Sequence, residues 1–320
     1  MNELLSAIHD IGIVPVIAID DAKKAVPLAK ALVEGGLPAA EVTFRTDAAE
    51  EAIKAIVAEV PQMLVGAGTV LTKDQADRAI SAGARFIVSP GFNPAITEYV
   101  LQKGVCMLPG TATAGEMEQA MMMGLTAVKF FPAEQNGGVA KLKALAGPYR
   151  TLRWMPTGGI NTNNLSDYMS FSQILACGGT WMVKKDLIEN ERWDEIASIC
   201  KSAVKTMLGF ELAHIGVNCS DEEEAVRTAG SLCSLFGLEN KPGNSSIFAG
   251  NGFEVMKSAG RGRNGHIAIA TYDVDRAVYH LKRSGAAFDE STRIKDDRGT
   301  KVIYLLDEIG GFAIHLTRKR

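Results

Sequence analysis

Along residues 1–210, short apolar runs alternate with stretches in which apolar residues recur at helical spacing. The runs at 13–19, 40–44, 63–67, 86–89, 106–108, 127–131, 152–156 and 174–176 predict strands buried on both faces, as in a parallel sheet. The stretches between them, among them 21–34, 48–59, 73–82 and 190–208, predict helices, and 2–11 predicts a short amphipathic one. Gly35-Gly36, Gly83, Gly104 and Gly124 stand where helices should stop. Eight βα units in this length predict a (β/α)8 barrel, with an open doubly wound sheet as the alternative.

The pattern changes after Leu208-Gly209. Four of the five histidines, His214, His266, His280 and His315, fall in this last third. His214-Ile-Gly-Val-Asn-Cys-Ser-Asp221 aligns with His266-Ile-Ala-Ile-Ala-Thr-Tyr-Asp273, and Ala225-Val226 aligns with Ala277-Val278 at the same offset. Each copy predicts a strand, a capped helix and then strands, with room for only two clear strands after the first helix. Ser220 with Glu223 reads as a capping box, and Gly237 and Gly285 close the helices. The expected fold class is therefore α/β: a (β/α)8 TIM barrel over 1–210, followed by a smaller α+β domain of paired βαβββ modules over 211–320.

Composition narrows the function classes. With 34 Lys and Arg against 37 Asp and Glu, the 320-residue chain has a net charge of −3, so no attraction to nucleic acid or membrane is expected. Arg318-Lys-Arg320 is too short for a nucleic-acid patch and reads as a solvated tail. The longest apolar run, 11–19, is broken by Pro15 and too short to cross a bilayer. Met1-Asn-Glu-Leu-Leu5 lacks the basic region of a signal peptide. Five scattered cysteines without CxxC spacing match reduced thiols. The expectation is a soluble, cytoplasmic protein.

One cation interrupts the apolar runs. In Leu125-Thr-Ala-Val-Lys-Phe-Phe-Pro-Ala-Glu134, Lys129 sits inside a strand that stops at Pro132. Burial disfavours an ammonium and frees the amine as a nucleophile, which a Schiff-base lysine needs. On this stretch alone, a lysine with a buried stem and a head reaching water is the favoured reading, and the surrounding chain reverses that preference. A barrel places its chemistry at the C-terminal ends of its strands. Glu41 and Arg45 fall at the second, Thr69 follows the third, and Thr157-Gly158-Gly159 and Gly178-Gly179-Thr180 follow the seventh and eighth. One Gly-Gly pair reads as a tight turn. Two pairs in the loops where barrels bind phosphate point to main-chain amides closing around an anion. Glu41 and Arg45 could instead form a structural ion pair. Thr72 rather than Thr69 fits the next helix cap, and Glu134 reads as a structural or solvated carboxylate.

These segments carry a family resemblance. Val14-Pro-Val16, Glu41-Val-Thr-Phe-Arg45, Gly66-Ala-Gly-Thr69, Ser89-Pro-Gly91, Lys129-Phe-Phe-Pro-Ala-Glu134, Pro156-Thr-Gly-Gly-Ile160 and Gly178-Gly-Thr-Trp181 occur in that order. With them, residues 1–210 resemble the class I aldolases that cleave 2-keto-3-deoxy-6-phosphogluconate and often 4-hydroxy-2-oxoglutarate. The resemblance implies that Lys129 forms the Schiff base, without metal or other cofactor, and that Glu41 is the general acid/base. It implies that Arg45 and Thr69 hold the keto-acid end, that Gly158, Gly159, Gly179 and Thr180 hold the phosphate, and that Pro90, Thr157 and Gly178 also contact substrate. Thr180 stands where serine is usual and keeps the hydroxyl. A 2-oxo sugar acid phosphate as substrate, pyruvate as product and a homotrimer are implied as well. The products would be pyruvate with glyceraldehyde 3-phosphate, or pyruvate with glyoxylate from the shorter acid. The 6-phosphogalactonate epimer and an unphosphorylated 4-hydroxy-2-oxo acid are the alternatives.

The duplicated segment resembles the vicinal-oxygen-chelate (glyoxalase-like) domains. That resemblance implies metal ligands from the first and last strand of each module: His214, Glu254, His266 and His315, the last where glutamate is more usual. Such a set suits Zn²⁺, Ni²⁺, Co²⁺ or Fe²⁺, while any one histidine also fits a buried, hydrogen-bonded role. His280, on a helix, falls outside the set and reads as a surface residue. A metal-dependent isomerase or lyase and a ligand-binding or dimerising module are both open for this segment.

Overall fold

A computed structural model describes residues 3–319. The chain folds into two units, Met1–Met207 and Leu208–Arg320. No helix among the described residues is long and apolar enough to cross a membrane.

The first unit is a ring of parallel strands. These are β1 (Ile13–Ile17), β2 (Ala39–Thr43), β3 (Leu64–Gly68), β4 (Phe86–Val88), β5 (Cys106–Leu108), β6 (Gly110–Thr111), β7 (Ala127–Phe130), β8 (Arg153–Pro156) and β9 (Cys177–Gly179). They pair in the orders β5-β4-β3-β2-β1-β9 and β6-β7-β8. β5 and β6 are halves of one barrel strand, split at Pro109, whose nitrogen has no hydrogen to donate. β5 pairs with β4 through Val88↔Leu108, and β6 pairs with β7 through Gly110↔Lys129. Bridges Trp154↔Ile174 and Thr157↔Gly178 close the ring. Helices cover it, burying Ile8, Leu28, Leu32, Ile53, Ile56, Ile196 and Met207.

The expected eighth strand at 174–176 forms three residues later, at Cys177–Gly179. Ile174, Leu175 and Ala176 are buried, and the run pairs with β8 only through the Trp154↔Ile174 bridge. The register with β1 falls instead on Ile13↔Cys177, Val14↔Gly178 and Pro15↔Gly179. The second glycine pair is therefore strand, not the loop after it. A side chain on Gly178 would meet Thr157 Oγ1 at 2.2 Å.

The second unit is one eight-stranded sheet in the order β11-β12-β13-β10-β14-β17-β16-β15. Its strands are β10 (Glu211–Asn218), β11 (Asn240–Pro242), β12 (Ser246–Ala249), β13 (Phe253–Met256), β14 (Gly265–Thr271), β15 (Phe288–Asp296), β16 (Gly299–Leu305) and β17 (Ala313–Arg318). Helices Glu222–Phe236 and Val274–Arg283 follow β10 and β14, so each copy of the repeat is a βαβββ module. β10 and β14 pair antiparallel at the centre, and each pairs in parallel with the last strand of its own module. The first helix packs Ala225, Ala229 and Leu232 against Cys219, Ile247 and Val255. By strand alternation, Phe248 and Glu254 point to the opposite face.

Several expectations here are corrected. The first module has a third strand, β11, whose Asn240-Lys-Pro242 is exposed and carries no apolar signal. The first cap is Asp221, whose side chain accepts the Glu224 N–H, while the Ser220 N–H and hydroxyl turn to the Glu224 carboxylate, so Ser220 and Glu223 form no capping box. His280 is buried at 6% exposure, on the inward face of its helix. Arg318 belongs to β17 and donates to the Asp296 carboxylate and to the Gly299 and Thr300 carbonyls, so it is structural. Residues 2 and 320 of the expected first helix and tail lie outside the described residues.

Gly66 pairs with Phe86 across β3 and β4, and a Cβ on Gly66 would lie 2.2 Å from the Phe86 ring. Gly66→Ala should therefore cost about 1–3 kcal/mol of overpacking. Thermal unfolding measures it; wild-type stability in this variant would refute the packing described here.

Candidate active site

Lys129 lies on β7 and Glu41 on β2, at 5% and 1% exposure. Lys129 Nζ donates to Glu41 Oε1 at 3.1 Å and reaches Oε2 at 3.4 Å. Gly68 makes room for the pair: a Cβ there would stand 2.2 Å from Glu41 Oε1. The Phe131 ring centroid lies 5.2 Å from the ammonium, on the side where strand gives way to loop.

Arg45 and Thr69 meet past the ends of β2 and β3. Arg45 Nε donates to Thr69 Oγ1 at 3.3 Å, while Glu41 is paired with Lys129. Thr69 has φ +56°, a left-handed conformation rare for a β-branched residue. The helix cap falls to Thr72, which accepts the Gln75 N–H at 3.1 Å. Arg45 also lines a cavity of about 430 Å³ with Thr180, Thr43, Asp20, Lys184 and Lys185. Lys184, Lys185 and Asp20 carried no sequence signal separating them from ordinary surface charges. Lys185 is held by Asp20 at 2.9 Å.

On the other side of the ring, Thr157 is buried beside Gly178, and its hydroxyl has no hydrogen-bond partner among the described residues. The next two residues form a pinned loop. The Gly158 carbonyl accepts the Glu134 N–H at 3.1 Å. The Gly159 carbonyl accepts Asn161 Nδ2 and Asn164 Nδ2, each at 3.0 Å. Pro90 stands just past β4, next to Ser89, whose hydroxyl donates to the Gly91 carbonyl at 2.7 Å.

In the second unit, β10, β13, β14 and β17 bring His214, Glu254, His266 and His315 to the helix-free face. Ligand-capable nitrogens of the three histidines lie within 4.8 Å of one another. His214 Nε2 and His266 Nε2 are 3.1 Å apart, and Glu254 Oε2 lies 3.1 Å from the first and 3.2 Å from the second. Hydrogen bonds to His214 and His266 hold the Glu254 carboxyl well below the usual carboxylate range. Burial, reinforced by His266, lowers His315 to about 4, so it is neutral near pH 7. Two partners were not foreseen. Ser246 donates to Glu254 Oε1 at 2.7 Å, and the Tyr304 ring lies 4.7 Å from that of His315. Both sit on strands whose alternation shows a face but not a neighbour. A cavity of about 520 Å³ opens beside His214, lined also by Phe248, Ala270, Thr317, Lys241 and Lys319.

A parallel barrel that buries an amine against a carboxylate at the C-terminal ends of its strands defines a class I, Schiff-base lyase. The comparisons narrow this class. The family model for KDPG and KHG aldolase matches residues 4–199, and the chain belongs to that family. It is 45% identical over 205 residues to the 2-dehydro-3-deoxy-phosphogluconate aldolase of Treponema pallidum, covering 64% of this chain and 98% of that protein. It is 44% identical over 193 residues to the KHG/KDPG aldolase of Escherichia coli K12, covering 60% and 91%. The KDPG aldolase of Legionella pneumophila, solved with pyruvate captured as a covalent carbinolamine, superposes with TM-score 0.61 at 36% identity, over 62% of this chain and 97% of that one.

Proposed function

We propose that the barrel cleaves 2-keto-3-deoxy-6-phosphogluconate to pyruvate and glyceraldehyde 3-phosphate, and 4-hydroxy-2-oxoglutarate to pyruvate and glyoxylate. The observation that carries this is the buried Lys129–Glu41 contact of 3.1 Å. Along it Lys129 can pass a proton to Glu41, leaving a free amine beside a carboxylic acid. The amine adds to the C2 ketone. Glu41 then protonates the carbinolamine oxygen, which leaves as water, and an iminium remains. Glu41, again a carboxylate, takes the proton of the C4 hydroxyl. The C3–C4 bond breaks, its electrons enter the iminium as an enamine, and the aldehyde departs. Glu41 returns the proton to C3, and water hydrolyses the imine to pyruvate and Lys129.

Arg45, steadied by Thr69, suits the substrate carboxylate because a guanidinium can grip it through two parallel hydrogen bonds. The pinned Gly158-Gly159 loop, with Gly178, Gly179 and Thr180 in and after β9, suits the phosphate. The buried, unpaired Thr157 hydroxyl suits a ligand oxygen, since such groups are otherwise costly. A cytoplasmic homotrimer is the expected setting, on family likeness alone.

Borohydride reduction in the presence of pyruvate should add the reduced pyruvyl group at Lys129, and Lys129→Ala should be inactive. An unlabelled Lys129, or an active alanine variant, rejects the lysine mechanism. Gly68→Ala should push the Glu41 carboxylate aside and lower kcat by about 10²-fold or more, the scale of a lost acid–base group, with Lys129 still trappable. Wild-type kcat in Gly68→Ala would remove Glu41 from its assigned role.

We further propose that His214, Glu254, His266 and His315 hold one divalent cation. The donor chemistry fits, with three imidazoles and a carboxylate already oriented by Ser246. Bound there, the cation would act as a Lewis acid toward a small oxo compound. Full-length protein loaded with Zn²⁺, Ni²⁺, Co²⁺ or Fe²⁺ should retain about one equivalent after desalting, by analogy with closed three-to-four-ligand sites. The His214→Ala/His266→Ala variant should retain none, nor should Gly216→Ala, whose Cβ would lie 2.1 Å from the His266 ring. Metal retained by neither wild type nor variant favours a ligand-binding or dimerising module instead.

A further inference from the structure

We propose that Tyr168 and Glu134 form a strut that positions the Gly158-Gly159 loop for the substrate phosphate, so that both are positioning residues for phosphorylated substrates. The inference rests on the assignment of that loop to the phosphate.

Tyr168 sits on the short helix Leu165–Met169 and is 1% exposed, so its ring has little freedom. Its hydroxyl donates a short hydrogen bond to Glu134 Oε1. Glu134 follows β7 by four residues and touches the loop in two independent ways. Its N–H donates to the Gly158 carbonyl at 3.1 Å. Its aliphatic stem lies directly under Gly159, where an added Cβ would be 2.5 Å from Glu134 Cγ and 2.7 Å from its Cβ. Gly138 leaves space for the pair, since a Cβ there would meet Glu134 Oε1 at 2.9 Å and the Tyr168 hydroxyl at 3.2 Å. The buried tyrosine thus fixes one rotamer of the glutamate, and that rotamer supports the loop.

The same hydrogen bond restrains a charge. Glu134 is exposed apart from this contact, and its stem adjoins the loop proposed to hold a phosphate dianion. Released from Tyr168, the carboxylate could swing toward that dianion and repel it. Both effects weaken phosphate binding, and neither touches the Lys129 imine.

Steady-state kinetics on the two substrates separates these roles. Tyr168→Phe should raise KM for 2-keto-3-deoxy-6-phosphogluconate about five- to tenfold, the scale of one lost hydrogen bond with some added repulsion. Its kcat should stay near wild type, and so should both constants for unphosphorylated 4-hydroxy-2-oxoglutarate. Inhibition by inorganic phosphate should weaken in parallel. If Tyr168→Phe does not fold, Glu134→Ala at the surface should give the same split, while Glu134→Gln, which keeps an acceptor and loses the charge, should lie closer to wild type. Equal losses on both substrates, or no change on either, overturn the strut. A wild-type enzyme that cleaves neither substrate refutes the aldolase assignment instead.

Discussion

An amine and a carboxylate buried together at 5% and 1% exposure are the constraint around which the barrel is built. Taking both ions out of water costs several kcal/mol each, and only close geometry offsets it. The barrel supplies that geometry by emptying the space around the pair. Glu41 can turn inward only because Gly68, two residues along β3 from its register partner Gly66, has no side chain. β2 is tied to β1 by the Thr43 hydroxyl, which donates to the Ile17 carbonyl at 2.8 Å. With the strand fixed, the carboxylate has one place to go. A buried pair that tolerates so little displacement is a poor stabilising device. It is well suited to moving a proton over a short, dry path.

The parts of this arrangement that depend on burial could be seen in the sequence. A cation inside an apolar run had to be buried, paired or functional, and the short apolar runs themselves located most of the barrel strands. What depends on pairing was less visible. Ile174-Leu-Ala176 is as apolar as a strand, yet the ladder with β1 uses Cys177-Gly-Gly179, because close approach to Thr157 favours glycine over a side chain. β11 was hidden for the converse reason: an exposed edge strand needs no apolar residue, so Asn240-Lys-Pro242 resembles a loop. Arg318 looked like part of a charged tail because its partners, Asp296 and two carbonyls, belong to a hairpin about twenty residues earlier. His280 looked like surface because burial of a polar residue leaves no trace in periodicity.

The Glu134–Tyr168 contact illustrates the same limit. Glu134 reads from the sequence as a structural or solvated carboxylate, and the loop it touches belongs to another βα unit, which the sequence does not show. It stands five positions after Lys129 along the chain. The same short segment therefore links the strand that carries the amine to the loop after β8. A barrel of separate units needs such cross-connections if the two ends of an extended substrate are to be held at a fixed distance.

The second unit meets the problem of buried polar groups in the opposite way. In the barrel, charges of opposite sign neutralise one another; on the sheet, like groups converge. The repeat aligns His214 with His266, and the two central strands pair about a two-fold centred on Ile215↔Ile267, with His214 opposite Ala268. Gly216, not His214, stands opposite His266, and the ladder shifts register between Leu212 and His214. Two positions apart across the regular part of the ladder, the two imidazoles meet edge to face at 5.2 Å, with His315 5.3 Å from His266. Gly216 is needed there because its missing side chain leaves room for the His266 ring. Three imidazoles and the Glu254 carboxylate thus converge on one point of the sheet. Together they form the donor set that the cation proposed above would need.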